Sequence, residues 1–576
     1  MATNQQKRIE IEGMTCEHCA ASAREALRGV AGVDDAEVDY QQGIGRVTAT
    51  DNAPDDEALR QALASAGYRA TAIEADPDKD ESTGEACCVT DSTPDPATGT
   101  TDTGDDTSSG RHLLIVGGGS AAFAAASKAV EYGAERVTMI NDGLPIGGTC
   151  VNVGCVPSKT LIRAGEALHR GQHIPFNGID PGPAKLTNFK AAIDQKRELV
   201  EQLQQAKYLD VVADMHEVQI VEGRAAFVDN RTVEVNGAQY TGDRVLIATG
   251  VSPYVPPIPG LNETNYLTND SAFELEMLPD SMIVLGGRYI ALECAQMFAR
   301  FGTKVTILQR SERILPTELP DLTDELSGYL QSEGIDIVTG VTARRVHQDA
   351  QHVTVETEVD GQPRQFTAEQ LLVATGRQPN TQGMGLEQVG VNTDASGFVE
   401  VDATAQTSAP GIYAAGDVID EHQYVYTAAY EGAVAAENAI TSAKRQRDYT
   451  ALSWVIFTDP QVAGVGLDEQ QARGQGFDAE ATTLPLSHVP RALAARDTRG
   501  FIKLVRDRST DQLLGARILA PEGSELLMEV AVAIRYGITV SQVRDCFHPY
   551  LTLGEGIKLA AITFGKDVSK LSCCAT

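Results

Sequence analysis

The sequence predicts an α/β protein: two parallel-sheet units in series, with a small βαββαβ module in front of them. Three observations support this. A buried-type strand, His112-Leu113-Leu114-Ile115-Val116, runs into Gly117-Gly118-Gly119-Ser120-Ala121-Ala122 and a helix reaching Tyr132. A second strand, Ser281 to Leu285, runs into Gly286-Gly287-Arg288-Tyr289-Ile290-Ala291 and another helix. The first 76 residues alternate short strand and helix patterns in the order βαββαβ, which is ferredoxin-like. At 576 residues the chain is long enough for several domains and a large core.

The formal net charge of −33 argues against nucleic acid and anionic membranes as partners. No apolar stretch is long enough to span a bilayer, and residues 1–12 are polar, so a cytoplasmic protein is expected. Ten cysteines are few for this length and are not spaced as a secreted scaffold. Eight of them form close pairs: Cys16/Cys19, Cys87/Cys88, Cys150/Cys155 and Cys573/Cys574. Cys294 and Cys546 stand alone and read as buried apolar residues. Paired thiols in a reducing compartment point to redox or soft-metal chemistry.

Residues 1–76 form the first module. Ile9-Glu10-Ile11 alternates like a strand, and Gly13-Met14-Thr15-Cys16-Glu17-His18-Cys19 reads as a loop entering a helix over 20–29. A hairpin follows over 33–50, then a helix over 55–66 and a strand over 68–73. Two thiolates on such a loop suit linear coordination of a soft ion, Hg(II) or Cu(I), better than zinc, which needs two further ligands. GMTCxHC in this order resembles the heavy-metal-associated domain of metallochaperones, which makes Cys16 and Cys19 the expected metal ligands. Residues 77–110 are dominated by Asp, Thr, Ser, Gly and Pro with almost no apolar residues, and read as an acidic disordered linker. Within it Cys87-Cys88 is either a soft-metal relay or incidental.

The first dinucleotide-binding lobe is expected to span 111–255 and 386–450. Its G-x-G-x-x-A turn between strand and helix lets a pyrophosphate approach the helix N-terminus, with Gly117, Gly119 and Ala122 in the fingerprint positions. Either Asn141 or Asp142 stands where the next strand should meet a ribose. Downstream lies Gly147-Gly148-Thr149-Cys150-Val151-Asn152-Val153-Gly154-Cys155-Val156-Pro157-Ser158-Lys159, read as opening a helix from Thr160. A helix N-terminus favours thiolate. This block resembles the redox segment of the flavin disulfide reductases, and the resemblance extends from about Arg111 to the C-terminus. It implies FAD as cofactor, with Cys150 exchanging with substrate and Cys155 lying against the flavin. It further implies that Thr149, Lys159, Ala225, Asp417 and Val425 contact FAD. Ala225 lies in Glu222-Gly223-Arg224-Ala225 and Asp417 closes Gly411-Ile412-Tyr413-Ala414-Ala415-Gly416-Asp417. Tyr208, in Ala206-Lys207-Tyr208, matches a pocket-lining tyrosine of the mercuric reductase branch.

The expected nicotinamide lobe spans 256–385. Gly286 opens its turn, but Arg288 replaces the second glycine of the fingerprint. By resemblance Tyr289 covers the flavin until nicotinamide enters, and Glu293 supports Lys159. The strand over 304–308 ends without the carboxylate that an NAD ribose requires, while Arg310 and Arg313 offer partners for a 2′-phosphate, so NADPH is expected.

Residues 451–576 resemble the family's α+β dimerisation domain, which implies a homodimer. Thiol-producing members carry a glutamate five residues after a His-Pro; here His548-Pro549 is followed by Leu553, and a helix-cap role is the alternative for His548. The segment Pro549-Tyr550-Leu551-Thr552 and the terminal Ser572-Cys573-Cys574-Ala575-Thr576 resemble the mercuric reductase C-terminus. The implied activity is Hg(II) reduction by NADPH through FAD and Cys150/Cys155. Cys573 and Cys574 would collect Hg(II) from small thiols and carry it to the other subunit's thiols, and Tyr550 would line that pocket. A thiol-directed reductase of the dihydrolipoyl dehydrogenase type is the rival; it predicts the intact His–Glu spacing and no vicinal tail cysteines.

Overall fold

The computed structural model describes residues 5–12, 17–30, 32–33, 35–39, 44–49, 55–65, 68–75, 112–180, 182 and 184–570. Cys16, Cys87, Cys88, Cys573 and Cys574 and the expected linker lie outside the described residues. Two compact units are present, Met1–Gly104 and Asp105–Thr576. In the first, four antiparallel strands run in the order Asp35–Asp39, Ile44–Ala49, Gln5–Glu12, Arg69–Ala75. The helices Glu17–Arg28 and Asp56–Ser65 contribute Ala20, Ala23, Leu27, Leu59 and Leu63 to the core under this sheet. The first helix starts earlier than the loop reading of Gly13 to Cys19 predicts: Glu17, His18 and Cys19 are already helical.

In the second unit, five parallel strands run Ile412–Ala414, Arg244–Ile247, His112–Val116, Arg136–Asn141, Val218–Glu222. The edge strand Ile412–Ala414 returns to this sheet from far along the chain. Helices Ser120–Glu131 and Val425–Thr441 pack over it so closely that a Cβ on Gly432 would stand 2.1 Å from the Ala121 carbonyl oxygen. Alanines at 121, 122, 125, 126, 428, 435 and 436 are what permit that approach. A second parallel sheet runs Asp336–Val338, Lys304–Leu308, Ser281–Leu285, Gln370–Val373, with helix Tyr289–Phe301 behind its glycine turn. A third, antiparallel, sheet runs Ser453–Ile456, Gln461–Gly466, Leu513–Ala520, Phe501–Asp507, Ala479–Pro485. Its central strands are buried on both faces, covered by helices Leu527–Arg535 and Glu555–Ile562. Among the described residues no helix is long and apolar enough to cross a membrane.

Candidate active site

The redox segment is a short helix, Gly148–Asn152, abutting a long one, Cys155–Gln172. The long helix therefore begins at Cys155, five residues before the expected start at Thr160. Pro157 does not prevent this, because the first N–H groups of a helix need no intrahelical acceptor. The two cysteines are brought together at Gly154. A Cβ there would stand 2.8 Å from the Thr149 carbonyl oxygen and 3.3 Å from the Cys150 Cα. Asn152 laces the preceding loop, donating to the Pro145 and Gly148 carbonyls at 2.9 Å each.

Cys150 and Cys155 are free thiols, half-buried, and within hydrogen-bond reach of one another. Hydrogen bonding between them splits their acidities. The Cys150 thiol, as donor, is pushed up, and burial adds to the rise. The Cys155 thiolate, as acceptor, is pulled down, with the Lys159 ammonium assisting against burial. Cys155 is thus the more acidic of the two, and it stands at the first residue of a helix, where negative charge is favoured.

Both cysteines line a cleft of about 440 Å³, mostly apolar, shared with Gly119, Thr149, Lys159, Tyr289, Glu293, Asp417 and Val425. Nine of the residues assigned from sequence therefore converge on one space. Lys159 Nζ donates to Glu293 Oε2 at 2.7 Å, the predicted pair across 134 positions. Asp417 faces the cleft with no hydrogen-bond donor to its carboxylate among the described residues, and burial raises its pKa. Its turn is held from behind by Glu431, which accepts from the Gly416 N–H at 2.8 Å.

A dinucleotide fits this arrangement. Gly117 adopts φ +138°, and a Cβ there would stand 2.1 Å from the Ala248 carbonyl oxygen. Beside it, a Cβ on Gly118 would meet the Asn141 side-chain oxygen at 2.3 Å. The orphan Asp417 carboxylate and the partnerless hydroxyl of Thr249 supply polar atoms where the cofactor chain would run. Asn141 is buried, and its amide nitrogen donates to Leu144 O at 3.1 Å and to Glu222 Oε2 at 3.0 Å. Asp142 is exposed at the turn. The carboxylate at this strand end is Glu222, from the neighbouring parallel strand in register with Asn141, a placement that no local sequence signal announces. Ala122 and Ala225 are buried in the core around the turn.

At the second turn Gly286 has φ +118° and a Cβ would stand 2.2 Å from the Ala374 carbonyl oxygen. Arg310 is exposed after the strand Lys304–Leu308, and Arg313 has a buried Nε without a partner. Tyr208 lies behind the redox segment, in a π-helical turn, Gln205–Leu209. Its ring stands edge-on to Phe123 at 4.9 Å, and its hydroxyl bonds Ser120. Burial, together with the nearby thiols, raises its pKa. Tyr550 is exposed and away from this cleft within one chain. His548 caps no helix: its Nε2 pairs with Glu529 Oε1 at 2.7 Å and its Nδ1 lies 3.3 Å from the Cys546 carbonyl oxygen. Both ring nitrogens have partners inside the chain. Glu555, the acid nearest in sequence, instead accepts from Leu551 N at 3.1 Å. Among the described residues, no group of three or more His, Cys, Asp or Glu is placed to hold a metal ion.

Comparison with known proteins agrees with this geometry. Residues 111–433 match the pyridine nucleotide-disulphide oxidoreductases, residues 452–561 their dimerisation domain, and residues 8–69 the heavy-metal-associated domain. The chain belongs to the pyridine nucleotide-disulphide oxidoreductase family. Its relatives there include a mercuric reductase of Staphylococcus aureus, 42% identical over 575 residues and all of both chains. One from Shigella flexneri is 42% identical over 98% of this chain and 99% of its own. One from Streptomyces lividans is 44% identical over 79% of this chain and 96% of its own. Among solved structures, the HOCl-induced flavoprotein disulfide reductase RclA from Escherichia coli is similar, with a TM-score of 0.70 and 31% identity, covering 79% of this chain and all of that one.

Proposed function

We infer that this chain is an NADPH-dependent mercuric reductase: Hg(II) + NADPH → Hg(0) + NADP⁺ + H⁺. The observation that carries the reading is the close pair Cys150 and Cys155 on the wall of a mostly apolar cleft of about 440 Å³, in a chain 42% identical to a mercuric reductase over its full length. Two adjacent sulfurs suit linear coordination of a soft, two-electron-accepting cation. FAD, held by Gly117, Gly119, Thr149, Lys159 and Asp417, supplies two-electron transfer between NADPH and the thiol side. Lys159, braced by Glu293, keeps a positive charge on the cleft wall beside Cys155. Tyr289, at the start of the helix behind the second glycine turn, covers the cleft until nicotinamide enters. Arg310 and Arg313 bind the 2′-phosphate of NADPH. A disulfide substrate would need an acid for its leaving thiolate; a metal ion needs none.

The protein is a homodimer through residues 452–561. Met528 and Val532 on the helix Leu527–Arg535, Tyr536 at its end, and Phe547, next to the His548 that pairs with Glu529 of this helix, are exposed apolar residues suited to a second subunit. Cys573 and Cys574 take Hg(II) from small thiols and pass it to Cys150 and Cys155 of the partner subunit, with Tyr550 lining the pocket and Tyr208 backing the redox segment. Transfer proceeds by ligand exchange, one thiolate at a time. Cys16 and Cys19 collect the same ion. A reducing compartment such as the cytoplasm keeps these pairs as thiols. The test is NADPH oxidation with and without Hg(II) at excess small thiol, with trapping of volatile mercury. Hg-dependent oxidation with mercury in the trap is expected. No volatile mercury together with ready reduction of lipoamide would overturn the assignment.

A further inference from the structure

The helix Tyr289–Phe301 is apolar except along one line: Glu293, Gln296 and Arg300, three and four residues apart. These side chains share a face and are almost fully buried, at 7%, 3% and 7% exposure. Burying an acid, an amide and a base is costly unless each finds a partner. All three find it in one short segment of the dimerisation domain. Phe457 N donates to Glu293 Oε1 at 2.9 Å. Asp459 N donates to Gln296 Oε1 at 2.8 Å, and Gln296 Nε2 returns a bond to Asp459 O at 2.8 Å. Arg300 Nη2 donates to Asp459 Oδ2 at 2.9 Å. Glu333 closes the network, accepting from Arg300 at 2.7 and 2.8 Å.

Phe457 does more than seat the segment. Its ring lies under Lys159, 4.6 Å from Nζ to the centroid, while its N–H holds Glu293. One residue of the dimerisation domain therefore grips both members of the ion pair on the cleft wall. We propose that the segment Phe457–Asp459 is a positioning strap: locked to the nicotinamide-lobe helix by Gln296 and Arg300, it fixes where Lys159 and Glu293 stand during reduction of the bound flavin. The strap rests on the reading that flavin occupies the cleft. Misplacement of a reacting group by about 1 Å can cost about a hundredfold in rate, so loosening the strap should slow the chemical step rather than weaken nucleotide binding.

The test is stopped-flow reduction of flavin-loaded dimer by NADPH. Gln296→Leu is close in shape and removes the amide bonds to Asp459, together with the 3.1 Å bond from Gln296 Nε2 to Glu333. It should retain wild-type flavin content and half-saturating NADPH, yet reduce its flavin about tenfold or more slowly. Phe457→Leu keeps the N–H on Glu293 but removes the ring under Lys159, and should also slow reduction; Phe457→Tyr should restore it. Should Gln296→Leu fail to fold, the Phe457 series decides alone. Flavin-loaded Phe457→Leu reduced at the wild-type rate, or slowed with no rescue by Phe457→Tyr, overturns the strap. A wild-type protein that binds no flavin would instead overturn the cofactor assignment beneath it.

Discussion

Glu431 is the sharpest place to perturb the flavin turn. It is fully buried on the helix Val425–Thr441, accepting from Gly416 N at 2.8 Å and from the Tyr449 hydroxyl at 2.7 Å. Burial pushes its pKa up from the ordinary 4.5 to about 7, against the pull of those two donors. Because the folded value lies above the unfolded one, the folded state holds the proton more tightly. The associated stability is full below about pH 4.5 and is lost as pH rises toward 7. At ~1.4 kcal/mol for each pH unit in that window, ionising Glu431 in place costs on the order of 3 kcal/mol. Glu431→Gln removes the ionisation and keeps the shape. Its amide oxygen can still accept from Gly416, and its amide nitrogen can donate to the Tyr449 oxygen. Urea unfolding of wild type and variant, followed by flavin release at pH 5, 6, 7 and 8, isolates the group, since every other titration is common to both proteins. The variant should gain on wild type by about 2–3 kcal/mol between pH 5 and 8. A difference between the two proteins that stays constant across that range refutes the reasoning.

Four further outcomes follow from the site. Replacing Cys573 and Cys574 by alanine should abolish turnover of thiol-complexed Hg(II); an unchanged rate removes the tail from the mechanism. Arg310→Ala with Arg313→Ala should raise the KM for NADPH by about tenfold to a hundredfold, the worth of charge-assisted hydrogen bonds, and leave that for NADH alone; equal effects on both nucleotides would rule out the 2′-phosphate role. In reduced protein, alkylation by iodoacetamide at Cys150/Cys155 should show a midpoint below the ordinary thiol value of about 8.5 and move upward in Lys159→Met, because hydrogen bonding from Cys150 and then the lysine charge lower Cys155; an ordinary midpoint would contradict the thiol–thiolate split. Cys16→Ser with Cys19→Ser should leave turnover in vitro unchanged, and a large loss would place that module in the catalytic cycle.

What could be read in the chain was whatever is local in sequence. The glycine turns, the cysteine spacing and the alternation of strand and helix each lie within some twenty residues, so the sheets and the redox segment were legible. The pair Lys159–Glu293 spans 134 positions and was reached only through resemblance. The partners that make the site work are set by register and helix face. Glu222 meets Asn141 because two parallel strands pair in that register. Glu431 looks like one acid on an alanine-rich helix until the close crossing at Gly432 fixes which face is buried. Spacing to the next acid says nothing of His548's true partner, Glu529, which lies 19 residues upstream on the helix Leu527–Arg535. Phe457 carries no polar side chain, yet its backbone and ring secure both charges on the cleft wall. In this protein the reactive atoms are announced by residue type, but their placement depends on residues whose own chemistry is silent. That division explains why a pair of thiols common to disulfide reduction can serve metal reduction: the sulfurs stay the same, and what changes is the set of groups that hold, charge and surround them.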